Sequence, residues 1–173
     1  MGASAYLEVD SGDWFNIYSL NGFNVGKALI GFLGMLSTYE EILDKTSPEY
    51  DWYRRFESQS PLNLNILSNA VYSGDWDFLE HEYERFKKCA KDNPFKNEDE
   101  FRRGMQELYD LWTPIESAIE ATNEIIKIFK NMSGEDYWFT STDVENALQG
   151  LRDTLLLAME RNGKESEIRI KGE

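Results

Sequence analysis

Glu167-Ile168-Arg169-Ile170-Lys171, near the end of a 173-residue chain, decides the fold. Isoleucine alternates with charge at a period of two, which gives an extended strand one dry face and one wet face. Such a strand needs a sheet neighbour and an apolar layer to lie on, and the opening residues supply the neighbour. Leu7 and Val9 alternate with Tyr6 and Glu8, and Phe15 and Ile17 alternate with Trp14, Asn16 and Tyr18. Residues 10–13 carry turn chemistry around Gly12, so this spacing predicts a hairpin. An isolated hairpin is marginal in water. The last strand is therefore expected to join it and bring both ends of the chain into one small antiparallel sheet.

Between these strands the apolar spacing is helical. Val25, Leu29, Phe32, Leu33, Leu36 and Leu43 predict a helix over 25–43. Residues 47–61, from Ser47-Pro48 to Ser60-Pro61, read as a polar, aromatic connection. A short helix follows over 62–72 and a longer one over 75–91, after Ser73-Gly74. The strongest periodicity runs through Phe101, Met105, Leu108, Trp112, Ile115, Ile119, Thr122, Ile126 and Phe129 in alternating steps of four and three. Pro114 interrupts it, and Thr113-Pro114-Ile115-Glu116 has the form of a capping box with proline at the first helical position. Because the stripe stays in phase, a kinked, nearly continuous helix pair is expected there. A second box, Thr142 with Glu145, opens a final helix through Val144, Leu148, Leu151, Leu155 and Met159 that stops at Asn162-Gly163. The class is α+β: a mostly helical single domain over residues 1–173, with a small antiparallel sheet formed by the N-terminal hairpin and the C-terminal strand.

Charge narrows the chemistry. There are 32 acidic residues against 18 basic, one histidine and one cysteine, for a net charge of −14. Imidazole and thiolate are the groups that catalysis and metal binding at neutral pH usually recruit, and His81 and Cys89 are the whole supply. A single cysteine excludes an internal disulfide. No apolar run is long enough for a membrane span and no basic-then-apolar leader opens the chain, so it reads as cytoplasmic.

Sequence motifs that suggest chemistry are incomplete. Gly22-Phe23-Asn24-Val25-Gly26-Lys27 imitates a phosphate loop, but three residues separate the glycines where four are needed, and Ala28 stands where Ser or Thr should follow the lysine. A structural turn into a helix outweighs nucleotide binding. His81-Glu82 opens like a zinc-protease motif, yet Arg85 stands where the second histidine belongs. Lys87, Lys88 and Lys91 around Cys89 would favour its thiolate, but no neighbouring base supports catalysis, so a plain helix residue is the better reading. Asp75 and Asp77 could carry a hydrated magnesium ion, which is the basis of an alternative reading as a small carboxylate-dependent or magnesium-dependent hydrolase. No catalytic residue, metal ligand or cofactor is assigned.

The acidic stretch points elsewhere. From residue 56 to residue 84 there is no Lys or Arg, while Glu57, Asp75, Asp77, Glu80, Glu82 and Glu84 contribute six negative charges before Arg85, Lys87, Lys88 and Lys91 follow. Acids at the start of a helix and bases at its end offset the macrodipole by about 0.3–1 kcal/mol each. The same arrangement projects a negative patch toward a basic visitor. Three clusters set rings beside carboxylates: Trp76 between Asp75 and Asp77; Tyr50-Asp51-Trp52-Tyr53; and Glu135-Asp136-Tyr137-Trp138. Partly exposed rings make interface anchors and carboxylates steer a cationic partner. The candidate partner-binding residues are therefore Tyr50, Trp52, Asp75, Trp76, Asp77, Glu80, Glu84, Asp136, Tyr137 and Trp138. Isolated basic pairs flanked by acids exclude a nucleic-acid stripe. An acidic domain imitating DNA toward a DNA-binding protein is a second alternative.

The strand Tyr6-Leu7-Glu8-Val9, the pair Trp14-Phe15 and the terminal strand Ile168-Arg169-Ile170 resemble the immunity protein 70 family of bacterial polymorphic toxin systems. The resemblance implies a stoichiometric inhibitor that binds a cognate toxin domain, often a basic nuclease. It would need no membrane and no direct contact with nucleic acid. No functional residue carries over from the family.

Overall fold

Backbone alternation builds the sheet, and the helices cover one side of it. The structure, a computed structural model, describes residues 4–18, 26–42, 45–64, 66–69, 71–73, 83–84, 87, 95–109, 112–132 and 141–172. In chain order the elements are β1 (Ala5–Val9), β2 (Trp14–Asn16), α1 (Gly26–Ile42), α2 (Pro48–Ser58), α3 (Ile66–Asn69), β3 (Val71–Ser73), α4 (Glu98–Tyr109), β4 (Thr113–Pro114), α5 (Ile115–Asn131), α6 (Thr142–Asn162) and β5 (Glu167–Gly172). Tyr83, Glu84 and Lys87 are also helical.

The expected three-stranded core of the sheet is present. β1 lies antiparallel to β2, with Leu7 opposite Phe15, and antiparallel to β5, with Leu7 opposite Ile170 and Val9 opposite Ile168. Gly12 turns the hairpin at φ 94°, a conformation that side chains with a β-carbon rarely adopt. Two further short strands extend the sheet beyond what the sequence predicts. β3 runs parallel to β5, with Val71 opposite Ile170, and β4 runs antiparallel to it, with Thr113 opposite Ile168.

Five expectations need correction. The helix expected over 62–72 is only the single turn of α3 followed by strand β3, since Val71 and Tyr72 are residue types that favour extended backbone. Residues 47–61 are not a connection: α2 forms there, capped by Ser47, whose hydroxyl accepts from the Tyr50 N–H at 3.2 Å, with proline in the first turn. The stripe through Pro114 is not one kinked helix. A residue before proline is pushed out of helical geometry, so Thr113 extends, pairs with β5 and ends any continuity between α4 and α5. The capping box predicted there does not form; Pro114 precedes α5 without a side-chain cap, and the Ile115 N–H bonds to the Ser166 carbonyl at 2.9 Å. The final helix is capped by Ser141, one residue earlier than expected, whose hydroxyl accepts from the Val144 N–H. The helix expected over 75–91 lies mostly outside the described residues.

The dry sheet face carries Leu7, Val9, Phe15, Ile17, Ile168 and Ile170, all buried. α6 lies against it and packs in turn on α5 and α1, with its Leu148, Leu151 and Leu155 buried in the shared core. α5 keeps a continuous buried stripe from Ile115 to Phe129. Its buried Thr122 hydroxyl is satisfied by the Ala118 carbonyl at 2.7 Å, and Thr154 of α6 does the same with Gly150 at 2.8 Å. Aromatic rings close the far side. Phe32 of α1 meets Phe56 of α2 edge-on at 6.2 Å and Phe129 of α5 at 6.0 Å, while Trp52 stacks on Phe56 at 5.1 Å. Among the described residues, no helix is long and apolar enough to cross a membrane.

Two substitutions test this packing. Phe32→Ala removes the ring shared by three helices and should cost about 3–5 kcal/mol in urea unfolding. A loss below about 1 kcal/mol would show that the aromatic junction is not where the helices are held. Gly163 ends α6 at φ 93° and ψ 162°, a region open essentially to glycine. Gly163→Ala should therefore cost about 1–3 kcal/mol although nothing lies within 4 Å of the added carbon.

Candidate protein interface

The wet face of the sheet is where unusual side chains meet. Alternation puts Tyr6 and Glu8 of β1, Trp14 and Asn16 of β2, and Arg169 and Lys171 of β5 on one side. Cross-strand register then aligns them in rows. Trp14, Glu8 and Arg169 sit side by side, and Trp112, which immediately precedes β4, extends that row. Arg169 Nε donates to Glu8 Oε2 within hydrogen-bond distance, and its guanidinium lies 4.6 Å from the Trp112 ring centroid. The second row sets Asn16, Tyr6 and Lys171 together. The Lys171 ammonium reaches diagonally to the Trp14 ring at 5.2 Å, and Tyr6 meets Trp14 at 6.3 Å with the rings at 64°.

Exposure separates the two ends of this surface. The Glu8–Arg169 pair is largely buried, with 14% and 20% of the side chains exposed, so its attraction is less screened than that of a surface pair. Trp14 and Tyr18, by contrast, are 49% and 53% exposed. A shallow hollow of about 160 Å³ lies between Ser4, Ala5, Tyr6, Asn16, Ile17 and Tyr18. It has room for the end of one side chain and is lined by two tyrosines, an amide and the Ser4 hydroxyl. It can hold a polar or cationic tip.

Of the residues expected from sequence to bind a partner, Tyr50, Trp52 and Glu84 are described. Trp52 is 1% exposed and belongs to the core, where its truncation would act on stability rather than on binding. Tyr50 is half-buried against the same core. Glu84 is exposed, and the Lys87 ammonium donates to it at 2.6 Å; this bond, first among its causes, raises the Lys87 pKa above its ordinary value. The helical residues around Glu84 are fastened by Tyr83, whose ring meets Phe101 of α4 at 5.2 Å. Asp75, Trp76, Asp77, Glu80, Asp136, Tyr137 and Trp138 lie outside the described residues, as do His81, Cys89 and Gly22 to Val25 of the phosphate-loop imitation. Among the described residues, no three His, Cys, Asp or Glu side chains come together as a metal site.

In the sequence the acidic runs are more conspicuous than the surface on the sheet. Its signal was nevertheless present: aromatic residues at 6, 14 and 18 occupy wet positions of alternating strands, where polar residues normally stand. No protein-family model, curated protein or solved structure matches the chain.

The buried ion pair has a measurable signature. Glu8→Ala and Arg169→Ala should each cost about 1–3 kcal/mol, as expected for a charge-assisted hydrogen bond. The double variant should fall short of their sum by about 1 kcal/mol or more, measured by urea unfolding of all four proteins. Strict additivity would mean that the two groups act independently.

Proposed function

We propose that this chain is an immunity protein: a stoichiometric inhibitor that docks onto a basic toxin domain and blocks it by charge and bulk. The observation that carries the reading is the surplus of 14 negative charges on a chain of 173 residues. A domain so charged attracts cationic proteins from a distance and raises their association rate, and it repels phosphate backbones and anionic lipid surfaces. Such an inhibitor needs one complementary patch and no reacting group of its own. The resemblance of the strands at residues 6–9 and 168–170 to immunity protein 70 supports the same reading.

The cognate partner would be a toxin domain encoded beside this chain. Co-expression should restore growth to cells making that domain, and the two proteins should co-elute at equal stoichiometry. Stopped-flow association should slow steeply as salt is added, since screening shortens the reach of the field to about 10 Å at 0.1 M. An adjacent gene for a metabolic enzyme with no toxin domain, or an association rate indifferent to salt, would count against the proposal.

A further inference from the structure

Resting on the reading of this chain as a binder of basic proteins, we infer that the docking surface is the wet face of the sheet around Trp14, where an arginine or lysine side chain of the partner takes the place held by Lys171. Three observations converge on it. Trp14 and Tyr18 are about half exposed on a face that also presents Tyr6, an arrangement of rings that suits an anchor from another protein. The Lys171 ammonium, 5.2 Å from the Trp14 centroid, demonstrates that this ring accepts a cation over its face. The two loops at the hairpin end and the first residue of β5 carry four exposed carboxylates, Asp10, Asp13, Glu165 and Glu167.

Those loops are held together. The Asp10 N–H bonds to the Glu167 carbonyl at 3.0 Å, and the Ser11 hydroxyl donates to Asn162 Oδ1 at 2.7 Å. Among the described residues, none of the four carboxylates is within ion-pair distance of a cation. The nearby cations are otherwise engaged or outnumbered: Arg161 lies over the Phe15 ring at 5.5 Å, Arg169 pairs with Glu8, and exposed Lys164 stands alone against four negative charges. Charge complementarity selects the occupant. A second copy of this chain would bring another 14 negative charges to the same place, whereas a basic protein finds unpaired carboxylates beside a ring ready for its cation.

The test uses the full-length ¹⁵N-labelled chain, titrated at low salt with an oligo-arginine peptide while the indole N–H signals of its five tryptophans are followed by NMR. The Trp14 signal is assigned by its loss in Trp14→Phe, which keeps a ring in place should Trp14→Leu fold poorly. The Trp14 signal should shift and saturate, and Trp14→Leu should weaken binding about two- to fivefold. Joint reversal of Asp10→Lys and Asp13→Lys should weaken it about tenfold or more, an effect that added salt erodes. Lys171→Ala should tighten binding more than Lys164→Ala does, although both remove one positive charge. Equal effects of the two lysine variants would overturn the exchange at Trp14. If the Trp76 signal moves and Trp14 stays still, the docking surface lies on the acidic segment, and this inference falls while the reading as a binder of basic proteins stands. A dimer of the chain alone that Trp14→Leu dissolves would assign the face to a second copy and overturn the inference as well. Absence of binding to the peptide by any tryptophan would overturn both.

Discussion

The pairing of Leu7 with Ile170 is the constraint on which the rest of the structure depends. It joins strands far apart in the sequence, so every described helix lies inside the loop that it closes. The entropy of closing such a loop grows only slowly with length, by about 0.6 kcal/mol per doubling, and the helices within it shorten the flexible path further. What the pairing provides in return is a dry platform. Neither the hairpin alone nor β5 alone presents enough apolar surface to hold α6, but together Leu7, Val9, Phe15, Ile168 and Ile170 do. β3 and β4 then attach to the free side of β5, so the last strand organises segments distant from it in sequence.

The same register sets the chemistry of the opposite face. Because side chains alternate strictly along a strand, a slip of one residue between β1 and β5 would exchange Ile168 and Ile170 for Arg169 and Lys171 in the core. Burying those unpaired charges would cost far more than a misplaced apolar group. Correct register places Arg169 between Glu8 and Trp112, where its charge is paired and its guanidinium lies over a ring. The packing of the core and the arrangement of the wet face are thus consequences of one choice of pairing. The surface row Trp14, Glu8, Arg169, Trp112 exists because the dry face opposite it must be apolar.

Much of this architecture was legible from period alone. Strict alternation at 6–9, 14–18 and 167–171 located three strands and their dry faces, and Asn162-Gly163 marked the end of α6. The failures have local physical causes. At Thr113-Pro114 the spacing of apolar residues carried straight through a proline, and the steric rule for the residue before proline outweighed that phase. In α2 the capping pair Ser47-Pro48 was readable, but the polar residues around Trp52, Tyr53 and Phe56 hid a helix face of three buried rings. The parallel pairing of β3 depends on a contact across about a hundred residues, which no local pattern encodes. Of the candidate interface, the exposed rings were visible only as exceptions to alternation. Acidic residues stand out in the sequence at 75–84, whereas it takes the folded register to set the turn that carries Asp10 and Asp13 beside Glu167.

Electrostatics gives this arrangement its direction. A chain with a net charge of −14 gains solubility and long-range attraction for cations, but its own compact state is opposed by self-repulsion. Local pairing relieves part of that repulsion along the helices, where Arg55 meets Asp51, Arg102 meets Glu98 and Lys127 meets Glu124. Exposed pairs of this kind contribute at most about 1 kcal/mol each. At the hairpin end no cation among the described residues is within ion-pair distance of the four carboxylates, and Arg161, Lys171 and Arg169 rest on aromatic rings or on Glu8. A basic partner arriving there would therefore gain twice: it would neutralise charges that the folded chain holds close together, and it would find rings already shown to accept a cation. On the proposed reading, repulsion that the folded chain tolerates would become attraction for a basic partner, so that one surface could oppose folding slightly and favour binding strongly.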